Sequence, residues 1–200
     1  MDSGHEYNEN LRKTDWADMS SRDHFVQFYT DDKQIIDAVA AYFVHGLRFG
    51  DVCLIAATAG HNQAIEKKMR ELDPSVGVAL AEQRFIIMDA DETLGIFMRD
   101  GKPDKALFEM VIGGLIRKAG EGKKRVRVFG EMVAVLTGNG NPAAAVTLER
   151  LWNDLAETLH FRLFCAYPGR ALSHPLTIPQ ADDICSTHCH VLGREAMGVA

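Results

Sequence analysis

Between His24 and Ala166 the apolar residues follow two alternating rhythms, short continuous runs and longer stretches with helical spacing. Short runs rich in β-branched and aromatic residues predict buried strands, and a period near 3.6 predicts amphipathic helices. His24–Tyr29 (HFVQFY) predicts a first strand, and Thr30-Asp31-Asp32 supplies N-cap candidates for the helix that follows. From Asp32 to Leu47, residues Ile35, Ile36, Val39, Ala40, Phe43, Val44 and Leu47 fall on one face, with Gly46 and Gly50 offering a stop. Val52–Ala57 is continuously apolar, as expected of a strand buried on both faces, and Ala59-Gly60-His61 turns into a helix through Leu72. The alternation continues with strand Arg84–Met88, helices near Glu92–Arg99 and Lys105–Ala119, strand Arg125–Phe129, helix Ala143–Leu159 and strand Arg162–Ala166. Strands separated by helices imply parallel crossovers, so the fold class is α/β, a mostly parallel central sheet with helices on both faces.

Outside this block the texture changes. Residues 1–22 are polar and without period, which predicts a flexible leader. Beyond Tyr167-Pro168-Gly169 the chain becomes rich in Pro, Ser and His, with one short helical candidate at Ile178–Leu192, and residues 171–200 read as a tail packing on the domain. The 200 residues suit one globular domain with an ample core. A formal charge of -6 with interspersed Lys and Arg leaves no basic face, which argues against direct nucleic-acid binding. No apolar run approaches the roughly 20 residues of a membrane helix, and the N-terminus lacks the charged and apolar regions of an export signal. A cytoplasmic protein without a membrane partner is expected. Of the four cysteines, Cys53 and Cys165 fall inside predicted strands as small buried thiols, and disulfides are not expected.

The candidate chemistry centres on Val126–Leu136, where a β-branched run ends in Gly130-Glu131. A buried strand that delivers a carboxylate at its C-terminal end places it where open α/β sheets bind ligands. The turn Ala56–Asn62 occupies the place of a phosphate-binding loop but has a single Gly and no Lys, so NTP hydrolysis is not expected. A helix N-terminus there still offers a place for a small anion or polar ligand, with Thr58 and His61 as candidate contacts. Gly138-Asn139-Gly140 reads as a turn, because Asn141-Pro142 is a well-formed helix start. Asp89 and Asp91 read either as caps of the next helix or as a carboxylate pair facing Glu131. In the tail, Cys185, His188, Cys189 and His190 bring soft and borderline metal ligands together. One loop does not easily turn four adjacent side chains inward, and no second paired cluster exists, so no metal is assigned. His24 reads as a core or hydrogen-bonded histidine, Cys165 as a buried inert thiol, and Tyr167 as a strand-end hydroxyl within reach of a ligand or Glu131. No G-x-S-x-G nucleophile elbow occurs.

A set of motifs in order resembles a known family: His24-x-x-x-Phe28-Tyr29, Gly46-Leu47 with Gly50-Asp51, Phe129-Gly130-Glu131-Met132-Val133, Leu148-Glu149-x-Leu151-Trp152-Asn153 and Cys165-Ala166-Tyr167-Pro168. Together they resemble the MEDS domain, the sensory domain of methanogen and methylotroph regulators of the dichloromethane-repressor type, over about residues 22–192. The resemblance implies a fold similar to RecA and KaiC-like ATPase domains, a three-layer sandwich with a degenerate phosphate loop. It also implies a sensing role in transcriptional or two-component regulation. The domain is then residues 23–170.

The leading expectation is a non-enzymatic cytoplasmic sensor that binds a small molecule at the C-terminal edge of the sheet through His24, Tyr29, Thr58, His61, Asp89, Glu131 and Tyr167. It relays occupancy to a regulatory partner of the histidine kinase, transcription regulator or anti-sigma type; homo-oligomerisation is left open. No cofactor is named by the sequence. One rival is an enzyme using Glu131 with Asp89 or Asp91 on a nucleotide or organic substrate, and another is a decayed ATPase domain acting as a protein-interaction module.

Overall fold

The computed structural model describes residues 23–169 and 188–192. The leader, Cys185 and most of the predicted tail helix lie outside them. The chain runs through β1 (His24–Tyr29), α1 (Asp32–Arg48), β2 (Val52–Ala57), α2 (Ala59–Leu72), α3 (Val76–Ala81), β3 (Phe85–Asp89) and α4 (Ala90–Phe97). A small hairpin, β4 (Met98–Arg99) and β5 (Lys102–Pro103), precedes α5 (Lys105–Phe108), a π turn at Glu109–Gly113 and α6 (Gly114–Ala119). Then come β6 (Val126–Gly130), α7 (Met132–Gly138), α8 (Pro142–Thr158), β7 (Arg162–Pro168) and β8 (His190–Leu192).

Six strands form one sheet in the order β3-β2-β6-β7-β1-β8, and every pairing in it is parallel. Strands β1, β2 and β6 are buried along their whole length, because helices cover both faces. On one face α1, α2 and α3 place Ile35, Val39, Phe43, Ile65 and Met69 against Phe25, Ile55, Phe129 and Phe164. On the other, Phe97, Phe108, Ile112, Met132, Leu148 and Trp152 meet Val26, Leu54, Val128 and Cys165. The α/β class and the parallel sheet expected from the alternating rhythms are thus present as a three-layer sandwich.

The predicted helix over Lys105–Ala119 is continuous but includes the π turn. Buried Phe108, Ile112 and Ile116 are each four residues apart, a spacing that precesses about 40° per step on an α-helix and is absorbed by a wider turn. At the C-terminal end of the predicted tail helix, Ile178–Leu192, the structure has a strand instead. Residues His190–Leu192 pair with β1 in the register Phe25↔His190, Val26↔Val191 and Gln27↔Leu192. The exposed edge of β1 offers a row of backbone donors and acceptors, which overrides a weak local preference. Helix α7 continues directly from β6, and Asn141 caps α8 through Ala144 N at 3.1 Å with Pro142 in its first turn, so Gly138–Gly140 is the expected turn.

A buried charge network ties the N-terminal ends of the strands together. Asp51, just before β2, accepts from Arg127 Nε at 2.8 Å; Arg125 Nε lies at 2.8 Å from its other oxygen, and Arg162 at 3.8 Å. Arg127 also donates to Tyr42 O at 3.2 Å, reaches His45 at 3.0 Å and lies over the Tyr42 ring. Gly46 makes room for it, since a Cβ there would stand 2.5 Å from Arg127 Cδ and Nε.

Candidate functional site

The strand order reverses direction between β2 and β6. The crossover from β2 leads outward to β3 with α2 on one face, whereas β6 leads to β7 with α7 and α8 on the other. In open α/β sheets, the crevice at such a switch point, outside the C-terminal ends of the strands, is where ligands bind. Glu131 is fixed there, because its N–H donates to Ala56 O at 2.8 Å and extends the β2–β6 ladder by one bond.

The side chain of Glu131 turns back onto the start of α2. Its Oε2 accepts from the Thr58 N–H at 2.9 Å and from the Thr58 hydroxyl at 3.2 Å, and its Oε1 lies 2.5 Å from His61 Nδ1. Thr58 makes no side-chain cap of its own helix. Glu131 therefore caps α2 from a different strand, and its charge sits at the positive end of that helix. The protein's own carboxylate thus stands at the start of that helix. A small anion, one of the ligands expected from the turn sequence, would meet like charge here.

His61 is the outer member of the pair: its side chain is 15% exposed and that of Glu131 6%. The hydrogen bond to Glu131 raises the His61 pKa; burial opposes the rise, while the charges of Glu131 and Asp32 reinforce it. Its second nitrogen stands 3.8 Å from Asp32 Oδ2, at the exposed start of α1. Nearby, Asn62 donates from Nδ2 to Ala57 O at 2.9 Å and Met88 O at 2.8 Å, joining the ends of β2 and β3, and its buried Oδ1 makes no hydrogen bond to the described residues.

Three of the seven expected contacts, Thr58, His61 and Glu131, thus come together, and four lie elsewhere. Asp89 ends β3 and caps α4, accepting from the N–H groups of Asp91 and Glu92 at 2.9 and 3.0 Å. Tyr29 ends β1 and is buried in the core beneath α1. His24 and Tyr167 point to the opposite face of the sheet, under α8. There the Tyr167 hydroxyl donates to Glu149 Oε1 at 2.8 Å, and His24 approaches Glu149 Oε2 and Cys165 Sγ, each at 3.4 Å.

Glu149 and Asn153 are the polar residues of this second cluster that the reading of the sequence did not single out as site residues. Their signal was present: they stand four apart, and Glu149 lies beside Leu148 and Trp152 on the apolar face of α8. Burial opposes the charge of Glu149, yet His188, His24 and Tyr167 outweigh it and hold its carboxyl below the usual range. Of the tail's soft ligands, His188 enters this cluster, while Cys189 and His190 are exposed.

A cavity of about 450 Å³ lies at the other edge of the sheet. Its apolar walls include Ile116, Val126, Leu159 and Phe161, and Lys123, Lys124 and Arg125 add charge. It opens at the N-terminal ends of β6 and β7, away from the ligand edge of a parallel sheet.

These features define a doubly wound α/β domain with an all-parallel six-stranded sheet and a carboxylate–imidazole pair at its switch point. The family model of the MEDS domain, the methanogen/methylotroph, DcmR sensory domain, matches residues 23–189. The chain belongs to this family and is a sensory domain. Among curated proteins, none matches the chain. Among the described residues, no helix is long and apolar enough to cross a membrane.

Proposed function

We propose that this domain senses a small neutral or cationic molecule bearing hydrogen-bond donors, bound at the crevice between the ends of β2 and β6 without being chemically changed. The observation that carries this reading is the placement of Glu131, Thr58 and His61 together at the switch point. Glu131 supplies acceptor oxygens, His61 presents its outward nitrogen, and Asn62 Oδ1 is a further acceptor on the same edge. Asp89 ends β3, the strand beside β2 on that edge. A degenerate ATPase lineage agrees with a helix start at which the protein's own carboxylate stands.

Occupancy has a direct route outward. A ligand that draws Glu131 away from Thr58 uncaps α2, and α2 packs along α1. The relay then ends on a regulatory protein in the cytoplasm, a transcription regulator, histidine kinase or anti-sigma factor.

Thermal unfolding of the full chain and of Glu131→Gln tests the reading, with a panel of small alcohols and amines and with ATP and inorganic phosphate as anionic controls. A ligand at 100 times its Kd adds about 2.7 kcal/mol, a clear shift in Tm. The expected result is stabilisation by a neutral or cationic compound that Glu131→Gln removes. Stabilisation that survives Glu131→Gln but disappears in Lys124→Ala would move the ligand to the cavity at the opposite edge. Turnover of ATP would replace sensing by catalysis.

A further inference from the structure

The cluster under α8 holds four side chains of the kinds that bind transition metals. His24 and Cys165 come from adjacent strands, Glu149 from the covering helix, and His188 from the residues just before β8. One ligand atom from each lies within 4.8 Å of all the others. His24 Nε2 stands 3.4 Å from both Cys165 Sγ and Glu149 Oε2, Cys165 Sγ is 3.7 Å from Glu149 Oε2, and His188 Nε2 is 3.5 Å from Glu149 Oε1.

The two carboxylate–imidazole separations, 3.4 and 3.5 Å, are longer than the charge-assisted hydrogen bonds such groups form, about 2.7–2.9 Å, while Cys165 Sγ lies within a sulfur hydrogen bond's reach of both His24 and Glu149. The triangle of His24 Nε2, Cys165 Sγ and Glu149 Oε2, with sides of 3.4, 3.4 and 3.7 Å, is close to one face of a coordination tetrahedron, and a ligand atom of His188 lies within 4.8 Å of the other three. Donors about 2.0–2.1 Å (nitrogen, oxygen) and about 2.3 Å (sulfur) from a zinc ion stand roughly 3.3–3.6 Å from one another. By contrast, the contacts behind the four are short. His24 Nδ1 lies 2.8 Å from Asn153 Oδ1, and Tyr167 donates to Glu149 Oε1 at 2.8 Å. A ring that donates from Nδ1 presents the lone pair of Nε2, and this is how outer partners orient metal-binding histidines and carboxylates.

We propose that His24, Glu149, Cys165 and His188 form a closed tetrahedral site for one divalent ion of the zinc class. Two imidazoles, a thiolate and a carboxylate suit a borderline cation and exclude calcium and magnesium, which take oxygen ligands. The Cys165 thiol loses its proton to solvent as the ion enters, and thiolate plus carboxylate then neutralise the two positive charges. Because His188 lies two residues before β8, the ion would tie that strand to β1, β7 and α8.

The test is titration of the reduced, metal-stripped full chain with Co²⁺ alone, followed by absorption spectroscopy. The expected result is one Co²⁺ per chain, with the intense visible bands of tetrahedral cobalt and a near-ultraviolet thiolate-to-cobalt band, all displaced by Zn²⁺. The double variant Cys185→Ser/Cys189→Ser should keep both features. His188→Ala, at the start of the β8 segment, should weaken binding by at least about tenfold. Cys165→Ser should lose the thiolate band. Absence of tetrahedral bands in the unmodified chain would overturn the proposal. So would loss of the thiolate band in the Cys185/Cys189 variant, because the tail thiols would then be the ligands.

Discussion

Two carboxylates meet cationic partners at opposite edges of the same sheet, and they are held in different ways. At the N-terminal edge, Asp51 and Arg127 have side chains only 1% exposed, and Arg127 is spent on Asp51, Tyr42 O, His45 and the Tyr42 ring. At the C-terminal edge, Glu131 holds His61, whose ring keeps one side toward solvent. The first pair is sealed, so neither partner can exchange its contact without unfolding its surroundings. The second has an outlet through which a proton or a ligand can compete. Burial of both members separates a structural ion pair from a responsive one, although the residue types alone look equally chemical.

The comparison breaks most readily at the sealed pair. Arg127→Ala strands Asp51 in the interior and should cost about 3–5 kcal/mol, seen as a lower urea midpoint. A loss below about 1 kcal/mol would mean that the network admits water, and the distinction drawn above would fail. Gly46→Ala probes the same region from its neighbour: a Cβ 2.5 Å from Arg127 must displace the guanidinium stem, at about 1–3 kcal/mol. At the open edge, Glu131→Ala removes the acceptor of the Thr58 N–H and hydroxyl, where water can replace it. The expected loss is about 1 kcal/mol, and a loss equal to that of Arg127→Ala would make Glu131 a structural residue.

The smallest effect is the pH dependence of the open pair. Glu131 holds the folded-state pKa of His61 above its unfolded value of about 6.5, so the stabilisation is fully present below that pH. It is lost as pH rises through the higher folded value, by less than about 1 kcal/mol in total. Urea midpoints measured on both sides of neutrality should show this slope in the unmodified chain. His61→Gln should flatten it.

Much of the architecture was legible because the strands are buried on both faces and the helices on one, so hydrophobic spacing reports each directly. Glu131 was legible as the carboxylate that follows the β-branched segment Val126–Gly130. The π turn and β8 were not, since the first depends on how Phe108, Ile112 and Ile116 meet the sheet and the second on the exposed edge of β1. The expected ligand set joined residues that share only a sequence position near a strand end. His24 begins β1, and both it and Tyr167 face α8, where strand pleat and helix packing give them Glu149 as a common partner. Glu149 carries the same lesson in reverse, a carboxylate hidden on an apolar helix face.

What the sequence determined by itself is the alternation of the main strands and helices, the all-round burial of the central strands, a βα turn with a single Gly and no Lys, and a carboxylate at the end of β6. Periodicity and residue type encode these locally. Only the tertiary structure decided which strand ends became neighbours. That placed Glu131 on Thr58 and His61 across 73 and 70 residues and gathered His24, Glu149, Cys165 and His188 under one helix. Such contacts depend on strand order and register, and no local pattern in a single chain carries that information.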